Sequence, residues 1–327
     1  MGAKSLISYG FLILPVAVTL GVLLGLQSYR VSRGFAPPFV SNKVTHKQYC
    51  QLSFGISPET SGQQYTLNPN QWGVTDATTS GGLCMNVSLP SHRVHACGVG
   101  LTEEQVTSFD NGSYPTRTSA PEWSITWQFP QGPPTQPVHA FPNIQIDPSN
   151  NVLPVEISTV AAINISTEWH YGVGSVVPTS TDGTELTSIE LNANVAIDMF
   201  IDSNQHAATS TKDAKYEVMI WLADFGASTQ PIGLEQGSRK TVVIGGTTFD
   251  LYFGVNGLQQ TVLTWVASGM VQSISADFKP LLEDLTSVGG PSTTDYLGYL
   301  AFGSEALWSS QNVTFSNPTL NMDIVTR

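Results

Sequence analysis

Two antiparallel sheets of short strands, an all-β sandwich, is the fold this sequence predicts, and three observations predict it. Short β-rich runs recur between Gly, Pro, Asn and Asp clusters along most of the chain, at the spacing of a sandwich or barrel. Helical period shows in one globular segment alone, "DFKPLLEDLTSV". After about residue 48 no linker and no internal repeat interrupts the chain, so one domain over residues 49–327 accounts for it.

The elements follow in order. Leu6 to Leu26 is almost wholly apolar and long enough to cross a bilayer. It lacks the small-residue cleavage site of a signal peptide, so residues 1–26 read as a transmembrane-type signal anchor rather than a cleaved leader. Arg30 and Arg33 outweigh Lys4, which would favour the opposite orientation. Four sequons, at Asn86, Asn111, Asn164 and Asn312, outweigh that bias. They require the chain from about residue 40 onward to be lumenal or extracellular, whether anchored at a membrane or free. Residues 27–48, polar with one Pro-Pro pair, form a linker. Of the three cysteines, an oxidising compartment should close two and leave one over. His92, His95 and Cys97 have superficial metal spacing but no fourth ligand nearby, so a loop is the better reading and no metal is expected.

Strands are expected in "CMNVSL", "EWSITWQF", "NIQID", "LPVEIS", "IELNANVAIDMF", "KYEVMIWLA", "KTVVIGGTTFDLYFG", "QTVLTWVA", "YLGYLAF" and "NVTFSNPTLNMDIV". In "IELNANVAIDMF", Ile189, Leu191, Ala193, Val195, Ile197 and Met199 form a buried row opposite Glu190, Asn192, Asn194 and Asp198. Such a polar row is as natural to a solvated sheet as to a sugar groove. "KYEVMIWLADFG" is more informative. Tyr216, Val218, Ile220 and Leu222 form one face, while Met219, Trp221 and Ala223 share the other with Glu217. A solvated face would not show Met and Trp in a row, and a covered face would not hold an ionised Glu. A groove that stacks sugar rings and presents one carboxylate satisfies both facts; the competing reading is a buried Glu paired with a cation. Glu305, after "AFGS" and near Trp308, supplies the second carboxyl group that glycoside hydrolysis needs. In "DFKPLLEDLTSV", Phe278, Leu281, Leu282 and Leu285 make one helical stripe capped by Asp277, laid against the outside of the sandwich. A charged fraction of 12% and a net charge of −12 exclude a nucleic-acid surface, which needs Lys and Arg against phosphate.

In order along residues 48–327, these segments resemble glycoside hydrolase family 12, small endo-β-1,4-glucanases that include xyloglucan-specific members. "NPNQWGVTD" resembles its N-x-x-W-G segment, "NVAIDMF" its A-Y-D-L-F strand, and "YEVMIWLADFG" its Y-E-x-M-I-W-L strand. "LYFGVNG" resembles its Y-x-G-x-N-G turn and "FGSE" its F-G-T-E. The resemblance implies a jelly-roll sandwich with a concave substrate cleft. It puts Glu217 on the nucleophile, Glu305 on the acid/base and Asp198 on the carboxylate beside the nucleophile. Trp72, Met219, Trp221 and Asn256 fall on groove positions, and Cys50–Cys84 on the family disulfide. Departures are Ala301 where Gln is usual, "ALW" after Glu305, and longer segments at 91–121 and 175–188 that would reshape one end of the cleft.

The expected reaction is hydrolysis of internal β-1,4-glucan bonds with retention, by an extracellular or cell-surface monomer needing no cofactor. Retention requires carboxyl groups about 5–5.5 Å apart, against roughly 6.5–9.5 Å for inversion. Two rivals use the same fold: a non-hydrolytic β-glucan-binding protein, and a transglycosylase whose sugar acceptor outcompetes water.

Overall fold

The computed structural model describes residues 18–26, 29, 44–52, 55–58, 60, 62–74, 81–90 and 116–327. The chain divides into two compact units, Met1–Lys47 with Ser88–Ser113 and Gln48–Val87 with Tyr114–Arg327. In the first unit residues 18–26 form a helix, α1, which rises about 13 Å against roughly 30 Å of bilayer hydrocarbon. The transmembrane-type helix expected over residues 6–26 is thereby corrected. Among the described residues no helix is long and apolar enough to cross a membrane, so the anchor and the membrane as partner have no support. Residues 6–17, His92, His95, Cys97 and Asn111 lie outside the described residues.

The all-β expectation is borne out. Two sheets hold the chain. The first has six strands in the order β1 (Val44–Tyr49), β3 (Gly82–Pro90), β4 (Trp123–Gln128), β16 (Val313–Thr326), β7 (Val160–Val173) and β13 (Ser273–Asp277). The second runs β10 (Lys240–Ile244), β11 (Thr247–Val255), β12 (Thr261–Ala267), β9 (Tyr216–Phe225), β8 (Asn192–Asp202), β14 (Tyr296–Gly303), β5 (Asn143–Ile146) and β2 (Tyr65–Asn68). Two short strands complete it, β15 (Ala306–Trp308) beside β8 and β6 (Val155–Glu156) beside β14. All pairs with a resolved register are antiparallel except β12 with β9.

Inward-facing side chains of the two sheets make the core. Trp123, Trp127, Trp169, Tyr171, Phe302 and Phe315 are essentially inaccessible, with Phe315 at 5.3 Å from Tyr171 and 5.4 Å from Trp123 between ring centroids. Tilted contacts of this kind add about 0.5–1.5 kcal/mol beyond burial. The buried polar ends are bonded: the Trp127 indole donates to the Tyr171 hydroxyl at 3.0 Å, which meets Ser304 Oγ at 2.8 Å.

One strand central to this core, β7, is absent from the sequence-based set. Its Ile163, Ile165, Thr167, Trp169 and Tyr171 alternate inward as a strand should. The expected helix forms as α4 (Lys279–Glu283; α2 and α3 are Gly183–Ser188 and Gln205–Ala208), continued by a 3-10 turn over Asp284–Val288. Its stripe of Phe278, Leu281, Leu282 and Leu285 is buried. Rather than lying outside, it bridges the sheets: Phe278 meets Phe249 of β11 edge-on, while its amide donates to Ile163 O of β7 at 2.8 Å. Asp277 accepts from the Lys279 amide at 3.0 Å.

Cys50 and Cys84 are bonded, 34 residues apart in sequence. A loop of that length restricts the unfolded chain enough to stabilise the fold by about 3–4 kcal/mol. The double variant C50A/C84A should therefore lose about that much unfolding free energy, read from urea melts with the m-value fitted for each protein, and an unchanged unfolding free energy would refute the bridge's role.

Candidate active site

Strand β9 answers the puzzle of a carboxylate in an apolar row. Val218, Ile220 and Leu222 face the core and are fully buried. Glu217, Met219 and Trp221 point the other way, onto the outer face of the ten-stranded sheet. There Met219 and Trp221 pack with Phe141, Ala196 and Ala301, flanked by Val266 and Tyr299. Asp198 belongs to the same face, paired with Met219 on one side and Ala301 on the other. Strand β8 is thus covered on both faces, and its polar row is no solvated surface.

A β-bulge alters the end of this row. The register steps from Ala196↔Trp221 to Val195↔Ala223, one residue on β8 against two on β9, which reverses the alternation beyond it. Ala223 turns to the core. Asp224, opposite Asn194, takes the outer position that strict alternation assigns to Ala223.

Each catalytic candidate is held by an amide. Asn256 Nδ2 donates to Glu217 Oε2 at 3.0 Å, and Gln260 Oε1 accepts from the same nitrogen at 2.8 Å. Asn256 Oδ1 accepts from the Leu258 and Gln260 amides, both at 3.0 Å. Gln260 is in turn anchored on Thr211 O and Ala214 O. Asn194 does the same for Glu305: Nδ2 donates to Glu305 Oε2, and Oδ1 accepts from the Glu305 amide at 2.9 Å. Ser304 Oγ donates to Asn194 O at 2.6 Å, so the core chain from Trp127 through Tyr171 ends at the residue before Glu305. No cation is paired with Glu217, Glu305 or Asp198 among the described residues, which removes the reading of Glu217 as half of a buried ion pair.

Three carboxyl groups in one apolar setting disturb each other's titration. Burial, then the charge of Glu217, lifts Glu305 to about 7 against the pull of the Asn194 bond. Burial raises Glu217 and the Asn256 bond opposes it. Asp198, 4% exposed, is driven well above the carboxylate range by burial, then by Glu217 and Glu305. Its Oδ1 has no hydrogen-bond partner among the described residues.

Trp72 lies outside this cluster, on the turn after edge strand β2, with 54% of its surface exposed. That turn is tied to the outer face of the larger sheet where the Phe141 amide donates to Asn70 O at 3.0 Å. The segment 175–188 packs on the six-stranded sheet, with Pro178 against Gly172 and its carbonyl accepting from Ser316 Oγ at 3.0 Å. Residues 91–115 lie outside the described set. Sequence reasoning did not assign Asn194, Gln260, Tyr299 or Asp224 a place. Asn194 was visible in the polar row, but Asp224 was not, because a bulge leaves no mark in the alternation.

The sequence model of glycosyl hydrolase family 12 matches residues 63–324, all of the strands that build this site. The chain belongs to glycosyl hydrolase family 12. Xyloglucan-specific endo-beta-1,4-glucanase A of Emericella nidulans is 31% identical over 188 residues, 58% of this chain and 67% of the relative. Endoglucanase A of Aspergillus kawachii is 35% identical over 135 residues, 40% of this chain and 54% of the relative. The crystal structure of Trichoderma harzianum endoglucanase 3 aligns with 86% of this chain and 98% of its own at a TM-score of 0.61 and 24% identity. A Bacillus licheniformis family 12 xyloglucanase aligns with 86% and 100% at 0.57 and 17% identity. The structural likenesses establish the shared sandwich. This family 12 hydrolase is an enzyme, with its three carboxyl groups gathered on one face of the larger sheet.

Proposed function

We propose that this family 12 enzyme cleaves internal bonds of β-1,4-glucan chains with Glu217 as nucleophile and Glu305 as acid/base. The observation that carries the reading is the pairing of a half-buried, amide-held Glu217 with a Glu305 that its charge helps keep protonated up to about pH 7. Ionised Glu217 attacks the anomeric carbon as Glu305 gives its proton to the departing glycosidic oxygen. Glu305, now a carboxylate, takes a proton from water, which attacks the same carbon and frees Glu217. Two displacements return the starting configuration. Asp198 acts beside Glu217 as the third carboxyl group, and Met219 and Trp221 line the floor. Trp72 offers an exposed ring at the sheet edge.

The Cys50–Cys84 bridge and exposed sequon asparagines at 164 and 312 support an extracellular domain. Proton NMR of the first products from a soluble β-glucan tests the mechanism: β-anomers are expected, and α-anomers would remove the covalent step. A product profile on cellulose, mixed-linkage glucan and xyloglucan identifies the preferred chain.

The two amide clamps should be separable by pH. Each hydrogen bond favours the ionised carboxylate, so its loss raises that group's pKa. In Asn256→Ala the acid limb of kcat/KM, set by Glu217, should move to higher pH. In Asn194→Ala the basic limb, set by Glu305, should move to higher pH as well. Both variants should lose about tenfold to a hundredfold in kcat from a wandering carboxyl group. Limbs that stay in place would show that the amides do not act on these groups.

A further inference from the structure

The residue that clamps Glu217 stands in the pair Asn256-Gly257, in the loop that joins β11 to β12. Asn256 is half-buried, while Gly257, Leu258 and Gln259 are exposed. An asparagine side chain can close on the main chain, because the amide nitrogen of the next residue completes a five-membered ring with Cγ. A side chain on that next residue obstructs the approach, and glycine has none. The space around Gly257 is open: a Cβ placed on it would meet nothing within 4 Å. Its N–H has no hydrogen-bond partner among the described residues, so the attacking nitrogen is neither shielded nor held.

The electrophile is prepared by the bonds that make the clamp. Asn256 Oδ1 accepts from the Leu258 and Gln260 amides, both at 3.0 Å. Two backbone donors on one carbonyl oxygen draw charge from Cγ and stabilise the negative charge that develops on Oδ1 when a nucleophile adds, as an oxyanion hole does. The peptide between Asn256 and Gly257 must turn for its nitrogen to reach Cγ. One hydrogen bond among the described residues opposes that turn, from the Gln259 amide to Asn256 O at 3.0 Å. Gln259 is itself kept in the left-handed region at φ 65°, which a residue with a side chain disfavours. The loop is thus weakly held at the peptide that has to move and firmly held at the carbonyl that has to be polarised.

We propose that Asn256 is a site of spontaneous deamidation through Gly257, and that this change ends the working life of the enzyme by turning the amide that clamps Glu217 into a carboxylate. Hydroxide removes the Gly257 amide proton, and the nitrogen bonds to Cγ. The Cγ–Nδ2 bond then breaks, and ammonia departs with a proton taken from water, leaving a cyclic imide. Water opens the ring at either carbonyl. Breaking the bond from Cγ to the ring nitrogen leaves an aspartate at position 256, and breaking the main-chain bond leaves an isoaspartate. In sum one amide and one water become one acid and one ammonia. Neither product has an N–H to give Glu217 Oε2, which now accepts from Asn256 at 3.0 Å, and the aspartate sets a like charge beside it. The isoaspartate also adds a main-chain atom to a loop closed by the Asn256 amide on Gln260 O at 3.1 Å. The modification needs no catalysis; its cost to activity rests on the reading of Glu217 as nucleophile.

In the test the folded protein is held at mildly alkaline pH in heavy-oxygen water, and peptide mass mapping of position 256 is set against kcat on a soluble β-glucan. An acid at 256 carrying one heavy oxygen is expected, with a fractional loss of kcat that follows the fraction converted. Gly257→Ala, whose methyl group fits the open space, should start at wild-type activity, convert several times more slowly and keep its activity over the same period. Asn256→Asp, made directly, should lose about tenfold to a hundredfold in kcat. The acid limb of its kcat/KM profile should lie at higher pH than in Asn256→Ala, because a negative neighbour opposes ionisation of Glu217. Asn111 also precedes a glycine and lies outside the described residues; it is mapped in the same digest. A loss of activity that follows position 111 instead of 256 would overturn the proposal, as would conversion at 256 with kcat unchanged. An amide at 256 that survives in the folded protein while the urea-unfolded chain loses it would do the same. The mass map reads the site without turnover, so a chain that converts at 256 yet hydrolyses no glucan would support the site and count against the glucanase reading alone.

Discussion

Glu217→Ala lowers kcat on a soluble β-1,4-glucan by about 10⁵-fold, the expected scale for removing a nucleophile, and leaves the fold more stable at neutral pH. The second half of that expectation separates catalysis from structure. Burial raises the Glu217 pKa, so the ionised side chain is held at a cost in the native state, and an uncharged replacement relieves it. Its side-chain partner, Asn256, keeps three other hydrogen bonds. A thermal midpoint that rises while activity disappears is the signature. Azide then supplies a second readout. In the space left by the carboxylate, the anion attacks the anomeric carbon while Glu305 protonates the leaving oxygen, breaking one C–O bond and forming one C–N bond. The product is a glycosyl azide of inverted configuration. A variant that retains a rate within tenfold of wild type would overturn the assignment.

How far the site could be read in advance depended on the kind of signal. "KYEVMIWLADFG" declared itself because two principles conflict within it: a doubly apolar strand implies cover, and an acid in it implies a purpose. Glu305 gained meaning only as a companion, and the structure brings the two within electrostatic reach of each other. β7 was legible by its alternating Ile163, Ile165, Thr167, Trp169 and Tyr171 but passed over. Its sequon at Asn164 and small polar residues between the large ones read as loop until the outer face is seen to be solvated. Long-range partners were not legible at all. Asn194 and Glu305 are 111 residues apart, and no local rule links an amide in one strand to a carboxylate after another. The helix was found by its stripe but misplaced, because period gives the buried face and not what covers it.

Glu305→Gln is expected to lower kcat on polysaccharide by about 10²–10⁴-fold, and the loss should depend on the leaving group. An alkoxide leaves poorly without a proton, whereas a nitrophenolate leaves without one, so an aryl cellobioside should show a near-normal first step in this variant. The second step, in which Glu305 would deprotonate water, stays slow. A burst of nitrophenol followed by a slow steady state is the result to look for, and no burst would argue that Glu305 serves only one half of the cycle. The pH profile carries the same prediction. In the wild type the proton on Glu305 is lost at about 7, so activity should fall above that pH, and the basic limb should vanish from the variant's first step. Stability moves in the corresponding sense. From about 4.3, the value for an unperturbed Glu, up to about 7, the folded chain keeps a proton that the unfolded chain has released, so stability falls as pH rises through that window. With Gln at 305 this part of the decline is removed, and the variant should gain on the wild type as pH rises from 5 to 8. A thermal-midpoint difference independent of pH would mean that Glu305 titrates normally and that its place beside Glu217 does not poise it as the acid.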